Sequence, residues 1–276
     1  MKPVTPVTPD APLDAKVEDA AQEVAQRARW TPALLIGGWL ALVLAGTALA
    51  FFASSLVVLP GDLAIGRAVQ QARRTDFIMS PLMHAVSTPG AEPWVIVIYG
   101  LAVAAFAALR RWAATILMAL TATADAMAGA VKLAVGRARP TEDLVRVLQH
   151  PTDFSFPSGH TVHYVVFFGA LIYLCARTLR RRDTGAATHI LAATVLGVSA
   201  VLIALVGLSR VYLGAHWPSD VAGGYVLGGA WLAMLIAAHR KWVEPRWLRI
   251  ARAEDAAPAA VRVSHPAGTA RTARAA

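Results

Sequence analysis

Six windows of this chain carry almost no charge, and they constrain the fold more than any other feature. Residues 30–61, 93–109, 161–176, 185–209 and 221–239 contain no Asp, Glu, Lys or Arg, and 112–131 contains only Asp125. A helix needs about 20 mostly apolar residues to cross a bilayer. The windows therefore predict an all-α polytopic membrane protein with six transmembrane helices, near 33–56, 93–110, 112–132, 160–178, 188–208 and 221–239. The fourth is the shortest window. Composition agrees: 57% of residues are hydrophobic and 16% charged, against roughly 45–50% and ~25% in a soluble domain. A soluble globule is excluded, and the one cysteine, Cys175, excludes an internal disulfide framework.

The net charge is nevertheless +9, so the placement of the positive residues matters. In a nucleic-acid binder they would line a soluble face; in a membrane protein they gather in cytoplasmic loops. Here Arg110 and Arg111, then Arg177 and Arg180 to Arg182, then Arg240, Lys241, Arg246 and Arg249 fall on one side of the six-span layout. That pattern predicts cytoplasmic N- and C-termini and no nucleic-acid partner. Trp30, Trp94, Trp112, Trp217 and Trp242 fall near the span ends, as an aromatic belt would. The expected organisation is an N-terminal tail at 1–30, a membrane domain at 31–242 and a C-terminal tail at 243–276. Residues 1–12 and those after Pro258 read as extended or disordered, and 14–29 as a short charged helix at the membrane surface. The first apolar stretch starts too late and runs too long for a cleavable signal peptide. Between the first two spans, 62–90 reads as two amphipathic helices lying against the outer leaflet.

Three segments between the spans hold polar residues that are expensive at a membrane edge. The first runs from Lys132 to Arg139 and Pro140. Seven residues are two helical turns, so the two cations would face one way and bind an anion until Pro140 stops the helix; the alternative is a pair of snorkelling interface cations. The second is Pro157-Ser158-Gly159-His160 at the start of the fourth span. A hydroxyl and free amides at a helix N-terminus cradle an anion, though the same residues would serve as a plain turn and N-cap. The third is Ser209-Arg210, then His216 and Asp220. Four residues apart on a helix, the carboxylate would hold one imidazole nitrogen and leave the other as a base or nucleophile; alternatively Asp220 only caps the sixth helix. The six-span layout puts all three segments on the same, outer side. Lys132, Arg139, Arg210 and the Ser158-Gly159 amides would then converge on one phosphoryl group with two histidines beside it.

Lys-x6-Arg-Pro, Pro-Ser-Gly-His and Ser-Arg-x5-His-x3-Asp together resemble the tripartite signature of the type 2 phosphatidic acid phosphatase superfamily, the lipid phosphate phosphatases, in its integral-membrane branch. Every specified position matches, over about 90–240. The resemblance implies roles. His216 is the nucleophile, Asp220 orients it, and His160 protonates the leaving oxygen and then helps activate water. Lys132, Arg139, Ser158, Gly159 and Arg210 bind the phosphate. No metal or cofactor is implied. The expected substrate is a lipid phosphate or diphosphate, of the phosphatidic acid, phosphatidylglycerophosphate or undecaprenyl diphosphate class, reached from the bilayer on the exterior face of a bacterial inner membrane. A lipid phosphotransferase using the same phosphohistidine, or a transporter built around the intramembrane Asp125, are the competing readings. Asp125 is expected to be structural or to support Lys132 or Arg210, His163 to stand behind His160, and Asp143 and Asp153 to be surface charges in the loop.

Overall fold

The computed structural model describes residues 13–71, 76–181, 184–243 and 245–246, with side chains from residue 33 onward. The expected tails at 1–12 and beyond 246 lie outside the described residues. Every secondary-structure element among the described residues is a helix, and the main ones are α1 (Leu13–Ser55), α2 (Asp62–Gln70), α3 (Asp76–Ser87), α4 (Trp94–Ala108), α5 (Trp112–Thr121), α6 (Thr123–Val135), α7 (Gly159–Leu179), α8 (Ala186–Tyr212) and α9 (Pro218–Ala238). The charged segment 14–29 is no separate element; its backbone continues as one helix into the first span.

Among the described residues, five stretches are long and apolar enough to cross a membrane: Ala33–Ser55, Trp112–Val135, Gly159–Leu179, Ala186–Tyr212 and Pro218–Val243. The second expected span differs. α4 has only 15 residues, about 22 Å at 1.5 Å per residue, short of a hydrocarbon core of about 30 Å. It reaches span length only together with Asp76–Gly90, which meets it at 55°. The remaining predicted spans are present, and three of them run further at the end that carries the polar motifs, to Val135, to Tyr212 and back to Pro218.

α7 is the central helix, packed by α5, α6, α8 and α9. It is apolar on nearly every side, the pattern of a helix surrounded by others, and buries Val162, Tyr164, Val166, Phe167 and Ala170. α9 approaches it through small residues. A Cβ on Gly224 would stand 2.7 Å from Thr161 Cβ and 3.0 Å from the Ser158 carbonyl, so a side chain there would push α9 off the start of α7. α1 crosses the far side of α9, where Trp39 Nε1 donates to the Ala230 carbonyl at 3.0 Å. The loop 136–158 folds over this end of the bundle. Buried Gln70 on α2 ties it down, donating to the Arg146 and Tyr212 carbonyls at 2.7 and 3.0 Å and accepting from the Arg146 amide at 2.9 Å.

Candidate active site

Each motif reaches the site by a different local device. Lys132 lies in the last turn of α6, which stops at Val135 because Gly136 takes the left-handed conformation (φ 64°) and its N–H closes on the Lys132 carbonyl at 2.9 Å. The glycine, not Pro140, ends the helix, so Arg139 lies in the loop and shares no helical face with Lys132. Both nevertheless point the same way, because Asp153 bridges them: its carboxylate is 3.0 Å from Lys132 Nζ and 2.6 Å from Arg139 Nη2. Asp153 is therefore no solitary surface charge. Burial pushes its carboxyl up, but the hydrogen bond and charge of Lys132, with the charge of Arg139, outweigh that and bring it down to about 2.

Ser158 is the N-cap residue of α7 and Gly159 and His160 open its first turn. The second motif thus stands at a helix N-terminus as expected. Ser158 itself is fully buried: its N–H donates to the Asp220 carbonyl at 3.1 Å and its hydroxyl accepts from Thr161 at 3.0 Å. His160 is covered by the turn Thr88–Gly90, where a Cβ on Gly90 would stand 2.7 Å from the imidazole Cδ2. Only glycine lets the backbone lie that close.

Ser209 and Arg210 belong to the last turn of α8. Arg210 is buried, donating to Ser87 Oγ and Gln149 Oε1, both at 2.6 Å. His216 sits in the turn between α8 and α9, not on a helix with Asp220. That turn depends on Gly214, whose φ is 67° and whose Cβ position lies 2.1 Å from the Arg146 carbonyl. Asp220 is in the first turn of α9, and its carboxylate reaches back to accept the N-cap Trp217 N–H at 2.9 Å. His216 Nδ1 lies 3.6 Å from the same oxygen, Asp220 Oδ2. The carboxylate that caps α9 is thus also the one nearest His216 Nδ1, so the geometry leaves room for both readings of Asp220.

Electrostatics fix the state of His216. Burial, then the positive charges of Arg139, Arg210 and Lys132, hold its imidazole well below its ordinary value of 6.5, so it is neutral at neutral pH. Arg139 Nη1 lies 3.1 Å from His216 Nε2. A guanidinium only donates, so Nε2 is the acceptor and the ring proton belongs on Nδ1, facing Asp220.

Behind this layer lies a group that sequence reasoning missed. In the sequence Arg137 reads as one more loop cation, yet its side chain is 0% exposed. It donates to Asp220 Oδ1, to Asp62 Oδ2 at 2.7 Å, to Ser219 Oγ at 2.8 Å and to the Val57 carbonyl at 3.1 Å. Ser155 Oγ donates to Asp220 as well. Asp62, at the start of α2, also accepts the Ser219 N–H at 2.9 Å. The one signal in the sequence is that Arg137 and Arg139 alternate with Ala138 between them, a spacing that leaves room for one to serve the cavity and the other the wall behind it.

Lys132, Arg139, Gly159, His160, Arg210 and His216 line one cavity of about 780 Å³, which continues between α4 and α5–α6 past Tyr99, Asp125 and His163. Ser158 and Asp220 stand behind its wall. Asp125 meets neither Lys132 nor Arg210; it accepts from Tyr99 OH at 3.1 Å and lies 3.7 Å from His163 Nδ1. Among the described residues no group of three or more His, Cys, Asp or Glu is placed to hold a metal ion.

A helical membrane bundle with a cation-lined cavity at one end and a neutral histidine in its wall defines an integral membrane protein built around an anion site. Residues 112–244, just under half of the chain, match the family model of the PAP2 superfamily. It is 27% identical over 169 residues to phosphatidylglycerophosphatase B of Bacillus subtilis, across 60% of this chain and 77% of that protein. It is 39% identical over 89 residues to an undecaprenyl-diphosphatase of Sulfolobus acidocaldarius, across 31% of this chain and only 33% of the relative. The fold is similar to the crystal structure of a transmembrane PAP2-type phosphatidylglycerolphosphate phosphatase from Bacillus subtilis, with a TM-score of 0.59 and 23% identity over 74% of this chain and 96% of that one.

Proposed function

We propose that the protein is a phosphatase that removes the terminal phosphate of a membrane lipid through a phosphohistidine, without a metal ion. The observation that carries this is His216 Nε2, a neutral acceptor 3.1 Å from Arg139 in a cation-lined cavity. Lipid-phosphatase relatives support the substrate class.

In this reading the substrate phosphate takes the place of the Asp153 carboxylate between Lys132 and Arg139. Drawing Arg139 onto a phosphate oxygen frees the Nε2 lone pair. Nε2 then attacks phosphorus in line, the bond from phosphorus to the lipid oxygen breaks, and His160, charged as the imidazolium when the anionic phosphate is bound beside it, gives that oxygen a proton and becomes neutral. Asp220 stabilises the charge that develops on the His216 ring. Lys132, Arg139, Arg210 and the free N–H groups at the start of α7 neutralise the equatorial oxygens. Ser158 contributes by setting this helix end, since its own amide and hydroxyl are engaged. In the second half, His160 takes a proton from water, the oxygen attacks phosphorus and the P–N bond breaks, returning neutral His216 and inorganic phosphate.

The remaining assignments belong to the same proposal: both termini in the cytoplasm, a membrane domain over 31–242, and a site facing the exterior side of a bacterial inner membrane. The cavity opening between α4 and α5–α6 suits an amphiphile whose head enters while its chain stays in lipid. The test uses purified protein in micelles with a lipid phosphomonoester. His216→Ala should abolish phosphate release and the acid-labile phosphoenzyme, vanadate should inhibit, and chelation of divalent ions should leave the rate unchanged. Substantial turnover by His216→Ala, or loss of activity on chelation, would overturn the mechanism.

A further inference from the structure

The two ends of the cavity differ in chemistry. One holds Lys132, Arg139, Arg210 and the two histidines of the proposed reaction; the other, deeper in the bundle, holds Tyr99, Asp125 and His163 between apolar walls. His163 is one helical turn from His160, and Asp125 is two turns from Lys132, so this second group lies about 5–10 Å from the phosphate position. That is where the atoms joining the phosphate to the hydrophobic anchor would sit.

None of the three side chains is accounted for by the phosphate chemistry. His163 is 2% exposed, and neither ring nitrogen has a hydrogen-bond partner. Its ring is held on both sides, stacked on Phe167 with centroids 5.7 Å apart and met edge-on by Tyr99 at 4.9 Å. Asp125 is 45% exposed in its side chain and accepts from Tyr99 alone among the described residues. An acid inside a spanning segment, held by one phenol hydrogen bond with no Lys or Arg beside it among the described residues, marks a functional position. Together the three present a carboxylate, an imidazole and a phenol oxygen, a set rich in acceptors. It complements a neutral group that donates hydrogen bonds. It opposes a second phosphate, whose charge would face a carboxylate across a low-dielectric wall.

We propose that Asp125, His163 and Tyr99 form a head-group subsite that selects lipid phosphomonoesters carrying a hydroxyl between the scissile phosphate and the anchor, and that discriminates against lipid diphosphates. The inference rests on the phosphatase reading above and narrows its substrate class.

The test compares three probes on one preparation: lysophosphatidic acid, whose glycerol hydroxyl lies between its single phosphate and its acyl chain, the propane-1,3-diol analogue lacking only that hydroxyl, and a polyprenyl diphosphate. The ratio of two kcat/KM values on the same sample is independent of the fraction folded, so a poorly folding variant still reports. The unaltered protein should prefer the hydroxylated probe over its deoxy analogue by about tenfold or more, the discrimination expected of a charged hydrogen bond. Asp125→Ala and His163→Phe should each bring that ratio to within about twofold, and Asp125→Ala should also raise the ratio of diphosphate to deoxy probe by about fivefold. A ratio near one in the unaltered protein, or a ratio unmoved by both substitutions, would overturn the subsite while leaving a working phosphatase. Release of phosphate from none of the three would instead overturn the phosphatase reading, and the subsite with it.

Discussion

Replacing Arg137 by methionine removes a cation that lies behind the cavity wall and reaches the site only through Asp220, yet it should disable the protein. The Arg137 and Asp220 side chains are 0% exposed and that of Asp62 is 2% exposed, so the substitution leaves two buried carboxylates facing each other without their shared counter-ion. Breaking a buried ion pair by deleting one partner costs about 3–5 kcal/mol. The low end applies, because both acids keep other donors: Asp220 keeps Ser155 Oγ and the Trp217 N–H, and Asp62 keeps the Leu59 and Ser219 N–H groups. A loss of about 3 kcal/mol corresponds to a fall in Tm of about 6–12 °C for a domain of this size. Thermal unfolding of the detergent-solubilised protein measures this loss. The parallel measurement is kcat/KM on a lipid phosphomonoester, corrected for folded fraction, which reports the misplacement of Asp220 and His216. In the double variant Arg137→Met with Asp62→Asn only one unpaired acid remains, so part of the loss should return and the double-mutant cycle should be non-additive by about 1 kcal/mol or more. A fall in Tm below about 2 °C, or strict additivity, would show that the cation is not what holds α2, the 136–158 loop and α9 together.

Because burial and the neighbouring cations depress the His216 imidazole, the acid limb of kcat/KM, corrected for the substrate's own ionisation, should lie below pH 6.5; a decline already complete at pH 7 would refute a neutral nucleophile. The same shift has a stability consequence: below pH 6.5 the unfolded imidazole takes up its proton before the folded one, so stability falls as pH falls through that window. Asp153→Asn frees Lys132 and Arg139 from two half-exposed pairs worth about 0.2–1 kcal/mol each, so vanadate should bind about two- to thirtyfold more tightly; weaker binding would mean that Asp153 helps to build the anion site rather than occupying it. For topology, in a Cys175→Ser background an impermeant thiol reagent added to intact cells should label Glu142→Cys and not Arg181→Cys, and the reverse pattern would turn the site toward the cytoplasm.

Which parts of the fold and site are legible in the sequence depends on which interactions are local. The six windows announce themselves because lipid penalises charge along a whole span, and α7, α8 and α9 obey that rule with little adjustment. α4 escapes it: its window is long enough in composition, but the backbone turns at residues 91–93, which hydropathy does not register. The site motifs are readable because they fall at helix ends, where Ser158 and Gly159 or Ser209 and Arg210 have few other reasons to be. Arg137, Asp62 and Asp153 are not readable, since their partners lie 83, 157 and 21 positions away at the farthest contact, and a loop charge facing solvent looks the same in sequence as one clamped between acids. The errors at the span ends share one cause. Windows stop at the first polar residue, whereas the helices run on to Val135, to Tyr212 and back to Pro218, because Lys132, Arg210 and Asp220 find partners on neighbouring elements and need no water. In this fold a helix that outruns its apolar window is carrying its last turn into the site, so the mismatch between hydropathy and helix length itself points to the functional end of the bundle.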